Sequence, residues 1–375
     1  MDLDLISQVL IDLFQMVFIY LIVTVSLNFM YGYTGIPHFG VSLSVAGGGF
    51  VAGALSGRLL QMYYGILPNA DFIGDNGTII KLINDRIVND PLVGIGTFIL
   101  IIVLSLMFNA GLGYIVSRPA IRLSGSYLII VFTAMAEAIY LIGKVYRPLV
   151  GGQFWVGVPN VFAFMGQDKN VGYLLVSGFI TIIIFWIYQS MGNSPLGRLV
   201  RAVRENEMTA ESIGKDVVGI RTKVVMLGSA LASIAGVLWA FQIQKVISET
   251  YTRANWTFLP WLMFMVGGAG NNMGATIGTF AFITLRRLIT QYKYLISPYV
   301  PFDVVWLEQM LMGSVLLLII MFRPEGLIPE KPIKMPGINY SQLHNELKEK
   351  GVQVPSTQDT KQIGLKEKIR SFFFH

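Results

Sequence analysis

In 375 residues, 54% are apolar and only 13% are charged, roughly half the charged share of a soluble globular protein, which excludes a chain with a conventional water-facing surface. The net charge of +6 is spread between apolar blocks and along the C-terminal stretch rather than gathered in one patch, which fits membrane topology and not a nucleic-acid partner. With zero cysteines, disulfides, thiolate metal sites and cysteine catalysis are excluded.

Nearly uncharged blocks of about twenty residues, long enough to cross roughly 30 Å of hydrocarbon, recur along the chain. The first follows an acidic Met1-Asp2-Leu3-Asp4 start and is too long for the core of a signal peptide, so it is expected to remain as a span. Spans are predicted at residues 9–31, 36–57, 93–116, 124–142, 171–190 and 223–243, then a pair over 257–285 and a last one at 304–322. The expected fold class is all-α, a polytopic transmembrane bundle of about eight to nine spans. Gly47-Gly48-Gly49 and Gly53 mark the second span as one buried within the bundle, because small residues let helices approach closely in lipid.

The stretch 58–92 carries Asp71, Asp75, Asp85 and Asp90 and is expected outside. The loop 191–222 carries Arg198, Arg201, Arg204, Lys215 and Arg221 and is expected in the cytoplasm, on the same side as Arg118 and Arg122. Within this loop Pro195 suits a first helical turn. Leu196, Leu199, Val200 and Val203 recur at i, i+3, i+4 and i+7, which predicts a short amphipathic helix with Arg198, Arg201 and Glu205 on the opposite side. Ala210 and Ile213 extend the apolar surface, and Gly214 supplies the stop. Periodicity leaves two places for this helix open, the bilayer surface and a groove on a soluble partner.

Arg323, Lys331 and Lys334 ask for a cytoplasmic C-terminus. The pair over 257–285 must therefore be two helices, broken at Gly267-Gly268-Ala269-Gly270-Asn271-Asn272-Met273-Gly274. Residues 1–330 form the expected transmembrane domain and 331–375 a cytoplasmic tail, whose last stretch, 361–375, is basic and amphipathic.

No phosphate loop or His-Glu-x-x-His pair occurs, and the only histidines are His38, His344 and His375. Neither an enzyme activity nor a bound metal is expected. Charges inside the spans reduce to Glu137, Glu308 and the pair Arg286 and Arg287, few for an ion-coupled transporter. A self-sufficient secondary transporter or channel is the alternative to a permease driven by other chains.

The run Arg201-Ala202-Val203-Arg204-Glu205-Asn206-Glu207, with Ala210-Glu211, Gly214 and Lys223 after it, resembles the cytoplasmic loop of branched-chain amino acid ABC transporter permeases of the LivM-like branch. Leu27-Asn28 with Gly32-Tyr33-Thr34-Gly35 is similar to the N-terminal signature of that family. Gly267-Gly268-Ala269-Gly270 with Gly274 and Gly278 is similar to its late glycine turn, and Phe322-Arg323-Pro324-Glu325-Gly326-Leu327 to its terminal motif. The resemblance covers residues 20–330. Ile36-Pro37-His38-Phe39-Gly40 departs from the small polar segment usual there, the 58–92 loop is longer than the family pattern, and the tail beyond 330 has no counterpart in it.

The resemblance implies one half of a membrane dimer, paired with a LivH-like chain, resting on two ATPase subunits and served by an extracytoplasmic binding protein. ATP and magnesium would sit on the ATPases, with no cofactor on this chain. It implies coupling to the ATPase by Arg201, Arg204, Glu205, Asn206, Glu207 and Glu211, with Gly214 ending the helix. Tyr33, Thr34, His38, Asn271, Asn272, Arg286 and Arg287 are candidate substrate-path residues, because glycine-rich breaks are where membrane backbone can face a polar cavity; close packing explains those glycines equally well. Gly151, Gly152 and Trp155 are candidate contacts for the binding protein. Urea, short amides and sugars are carried by the same architecture, so the substrate stays open.

Overall fold

The computed structural model describes residues 3–123, 125–292 and 326–330, with positions 310, 313–314, 317–318 and 321–322. Helix α1 (Leu3–Leu27) runs directly into a π-helical turn, Asn28–Tyr33. It is followed by α2 (Ser42–Tyr64), α3 (Asn76–Ile87), α4 (Pro91–Ala120), α5 (Ser126–Val145) and the short α6 (Arg147–Val150). Then come β1 (Val156–Gly157), α7 (Lys169–Asn193), α8 (Pro195–Glu205), α9 (Glu207–Ser212), α10 (Val217–Ile243) and β2 (Lys245–Val246). A second π-helical turn, Ala254–Phe258, leads into α11 (Leu259–Gly267), and α12 (Asn272–Gln291) follows. β1 and β2 pair antiparallel, Val156 opposite Val246.

Among the described residues, six helices are long and apolar enough to cross a membrane: Ser7–Tyr33, Ser42–Tyr64, Pro91–Ala120, Ser126–Val145, Ala163–Asn193 and Val217–Ile243. The expected pair of spans over 257–285 is found as two helices, α11 and α12, packed against each other and broken at 268–271, but neither is among those six, and the 9 residues of α11 are too short by themselves to cross. Most of the predicted span at 304–322, with Glu308, and the whole tail, including 361–375, lie outside the described residues.

Two elements differ from the sequence reading. The second span begins at Ser42 rather than residue 36, because Gly35 takes φ of 74° and Pro37 has no N–H to give a helix; residues 34–41 run without regular structure. The 58–92 stretch holds a helix, α3, whose Asn76 carboxamide oxygen accepts the Gly157 N–H at 2.6 Å and so ties it to β1.

The centre of the bundle is the contact of α2 with α10. A Cβ on Gly48 would stand 2.0 Å from the Ser233 carbonyl oxygen, and one on Gly236 1.9 Å from that of Val45. Backbone therefore meets backbone, the packing that replaces a hydrophobic driving force inside lipid. The Ser105 hydroxyl donates to that of Ser233 at 2.9 Å and draws α4 into the same contact. One end of the bundle carries α8 and α9; the other carries α3, α6 and the β1–β2 pair.

Candidate functional site beneath helix α8

Helix α8 is built by its own ends. Ser194 caps it, its hydroxyl accepting the Gly197 N–H at 3.4 Å, and Pro195 occupies the first turn. The chain then breaks at Asn206, which has extended backbone and accepts the Thr209 N–H at 2.9 Å, so Asn206 caps the separate helix α9. Gly214, with φ of 75°, follows the end of α9. The single amphipathic helix expected from the sequence is thus two helices with a capped corner.

Val200 and Val203 are buried as the periodicity requires, but Arg201 is not on the outer side. Arg201 and Arg204 both turn into the bundle and grip one carboxylate. Arg201 Nε lies 3.2 Å from Glu330 Oε1, and an Arg204 guanidinium nitrogen donates to Glu330 Oε2 at 2.9 Å. Arg204 also donates to the Gly32 carbonyl. That acceptor lies within the π-helical turn, where the change of hydrogen-bond register disturbs the regular i to i−4 pairing. Arg201 donates to the Gly192 carbonyl at 3.2 Å, and its guanidinium stands 4.4 Å over the Tyr33 ring.

A polar net continues inward from this grip. Asn28 accepts the Gly270 N–H at 2.8 Å and donates to Asn272 Oδ1 at 2.8 Å, while Asn272 donates to Gln189 at 3.1 Å. Asn271 caps α12 through the Met273 and Gly274 N–H groups and donates to the Pro329 carbonyl at 3.2 Å. The Leu327 and Ile328 N–H groups donate to the Val266 and Gly267 carbonyls, each at 2.9 Å. Gly32 is required here: a Cβ would stand 2.5 Å from the Gly270 nitrogen. The four recognisable sequence stretches, at 27–35, 201–214, 267–278 and 326–327, therefore meet in one junction.

Of the candidate path residues, Tyr33, Asn271 and Asn272 belong to this junction, and Thr34 adjoins it with its hydroxyl given to the Phe29 carbonyl at 3.2 Å. His38 lies apart, buried, with its ring 4.1 Å from that of Phe132. Arg286 and Arg287 sit toward the far end of α12, where Arg287 pairs with Asp12 at 3.1 Å and Arg286 donates to the Tyr20 hydroxyl at 3.4 Å. Gly151 and Gly152, with φ of 82° and 68°, and the exposed Trp155 lie at the end opposite α8. Of the coupling candidates, Glu207 pairs with Arg221 at 2.8 Å, whereas Glu205, Asn206 and Glu211 face outward. Sequence reasoning missed Glu330, Gln189, Asp12 and the linking role of Asn28; an acid just past the terminal motif was the one signal for Glu330.

The family model for the permease component of branched-chain amino acid transport systems matches residues 9–320. This chain belongs to that family. The permease is 38% identical over 339 residues to a probable branched-chain amino acid transport permease protein LivM of Methanocaldococcus jannaschii, covering 90% of this chain and 96% of the relative. It is 23% identical over 350 residues to the high-affinity branched-chain amino acid transport system permease protein LivM of Salmonella typhimurium, covering 87% and 71%. It is also 27% identical over 186 residues to a probable LivH permease of the same Methanocaldococcus, covering 48% and 58%. No solved structure matches the chain significantly. The permease thus has a transport family and not an enzyme family behind it.

Proposed function

We propose that this chain is the permease subunit of a binding-protein-dependent ABC importer of branched-chain amino acids, with ATP and magnesium held by partner ATPases and no cofactor of its own. The observation that carries this reading is the junction under α8. Helices α7 and α10, the π-helical turn of α1 and the carboxylate of Glu330 hold the inner side of α8, while its outer side and α9 present Met208, 79% exposed, and Ile213, 69% exposed, among Glu205, Glu211 and Lys215. A helix fixed to the bundle on one side and bearing an apolar, charge-rimmed patch on the other suits a soluble ATPase. Movement of the ATPase then passes through Arg201 and Arg204 to the π-helical turn of α1 and to the break between α11 and α12.

On this reading the α8 end and the 331–375 tail face the cytoplasm in a cell membrane, as their basic residues favour. The opposite end, with Gly151, Gly152 and Trp155, receives the extracytoplasmic binding protein. A LivH-like chain supplies the second half of the membrane dimer, and two ATPase subunits complete the complex. The test is reconstitution of this permease with those partners. Leucine uptake that needs both ATP and the loaded binding protein is expected, and Met208→Asp with Ile213→Asp should release the ATPase. Uptake by the chain alone, driven by an ion gradient without ATP, refutes the proposal.

A further inference from the structure

Helix α5 concentrates its polar side chains in one narrow sector. At about 100° per residue, Thr133, Glu137, Tyr140 and Lys144 fall within about 60° of one another. The sector borders a packed face made by Phe132, Ala136 and Gly143 on one side and an open apolar face on the other.

Both charges in this sector pair with the segment between α10 and α11. Glu137 Oε2 lies 2.8 Å from Arg253 Nε, and Lys144 Nζ 3.1 Å from Glu249 Oε1. The two pairs are stacked about 10 Å apart along the helix axis, and Glu137 lies about 12 Å inside the end of α5, at the depth of hydrocarbon in a spanning helix. At that depth Glu137 and Arg253 each keep 37% of the side chain exposed. Charges inside a membrane do not face lipid; they line water-filled routes or meet other protein surfaces. Five residues after Arg253, at the end of the π-helical turn that Arg253 opens, the segment becomes aromatic at Phe258. Phe39 stacks on Trp261 with centroids 4.2 Å apart and lies 6.2 Å from Phe258, itself 45% exposed.

We propose that Glu137 and Arg253 bind the head of a zwitterionic α-amino acid in transit, the carboxylate of Glu137 taking the ammonium and the guanidinium of Arg253 the carboxylate, with Phe39 and Phe258 beside the solute's apolar side chain. This rests on the importer reading above. A zwitterion can enter an ion pair without leaving either charge unpaired, because each contact it breaks is replaced by a charge-assisted one. A lone anion or cation satisfies only one partner.

The test uses the complete complex with partner permease, ATPases and binding protein in proteoliposomes, the partner permease being made cysteine-free. This chain has no cysteine to remove, so single cysteines report directly. Thr133→Cys and Tyr140→Cys are expected to react with a charged, membrane-impermeant thiol reagent added on the binding-protein side, severalfold more slowly in the presence of leucine, while Ile142→Cys on the open face stays unreactive. Glu137→Gln and Arg253→Gln are expected to cut uptake at least tenfold in complexes that still copurify with all their subunits. The exchanged variant E137R/R253E should not recover uptake. Failure of both cysteines to react, or full recovery in the exchanged variant, reduces the pair to a fastening between α5 and its neighbour and overturns the proposal. Wild-type uptake with unchanged E137Q and R253Q sinks this site alone; a wild-type complex that moves no amino acid sinks the importer reading beneath it.

Discussion

Removing the carboxylate of Glu330 while keeping its shape, with Glu330→Gln, isolates the grip on α8. The carboxylate is about a quarter exposed, with 26% of the side chain accessible, and holds two guanidinium groups at 3.2 and 2.9 Å. Fully exposed ion pairs are worth about 0–1 kcal/mol, and hydrogen bonds to charged groups in buried settings about 1.5–3 kcal/mol each. An intermediate setting places the loss at about 1–3 kcal/mol for undocking α8. At about 1.4 kcal/mol per tenfold, amide exchange over residues 195–205 should rise about 5- to 150-fold. Hydrogen–deuterium exchange read by mass spectrometry on the purified complex measures this directly. Arg204→Lys should give a smaller rise, since an ammonium keeps the charge but loses the fork that reaches both Glu330 and the Gly32 carbonyl. Exchange within twofold of wild type in E330Q, with the rest of the bundle unchanged, would refute the idea that this carboxylate fastens the loop helix.

Gly48→Ala should cost about 1–3 kcal/mol by overpacking α2 against the Ser233 carbonyl, seen as a lower melting temperature; Gly96→Ala, with no atom within 4 Å of its new Cβ, is the matched control and should melt near wild type. Asn28→Ala leaves the buried Gly270 N–H without its acceptor and should cost about 1–3 kcal/mol in the same melting assay. Asn206→Ala removes the cap of α9 at about 0.5–2 kcal/mol; exchange should rise in residues 207–212 alone, and a parallel loss of bundle stability would contradict the independence of this helix.

The sequence made the helices and the loop legible because each is decided by its own residues. Apolar blocks about twenty residues long have few alternatives to a membrane helix, and Ser194, Pro195 and Gly214 punctuate the loop by local chemistry. The break between α11 and α12 was equally visible in its glycines and asparagines. The inward turn of Arg201 was not legible, because a guanidinium on a helix flank reads as solvated until its partner is known, and Glu330 lies 129 residues further along the chain. The corner at Asn206 was hidden for a related reason: the apolar stripe continues across it, and periodicity does not register a change of axis.

What the sequence determined by itself is the solvent of the chain, the place of its long apolar segments, and its family, since these follow from composition, local pattern and short motifs. Only the tertiary structure decided that the four motifs are one object. They converge because the π-helical turn offers the Gly32 carbonyl to Arg204, because glycine at 32 lets its backbone touch that of Gly270, because glycine at 270 leaves room for the Glu330 side chain, and because Glu330 sits where two arginines converge. The same holds for the ion pairs of α5. Glu137 and Lys144 are isolated charges along the sequence, and folding brings Arg253 and Glu249 to meet them, since a charge held at membrane depth requires a partner from another element.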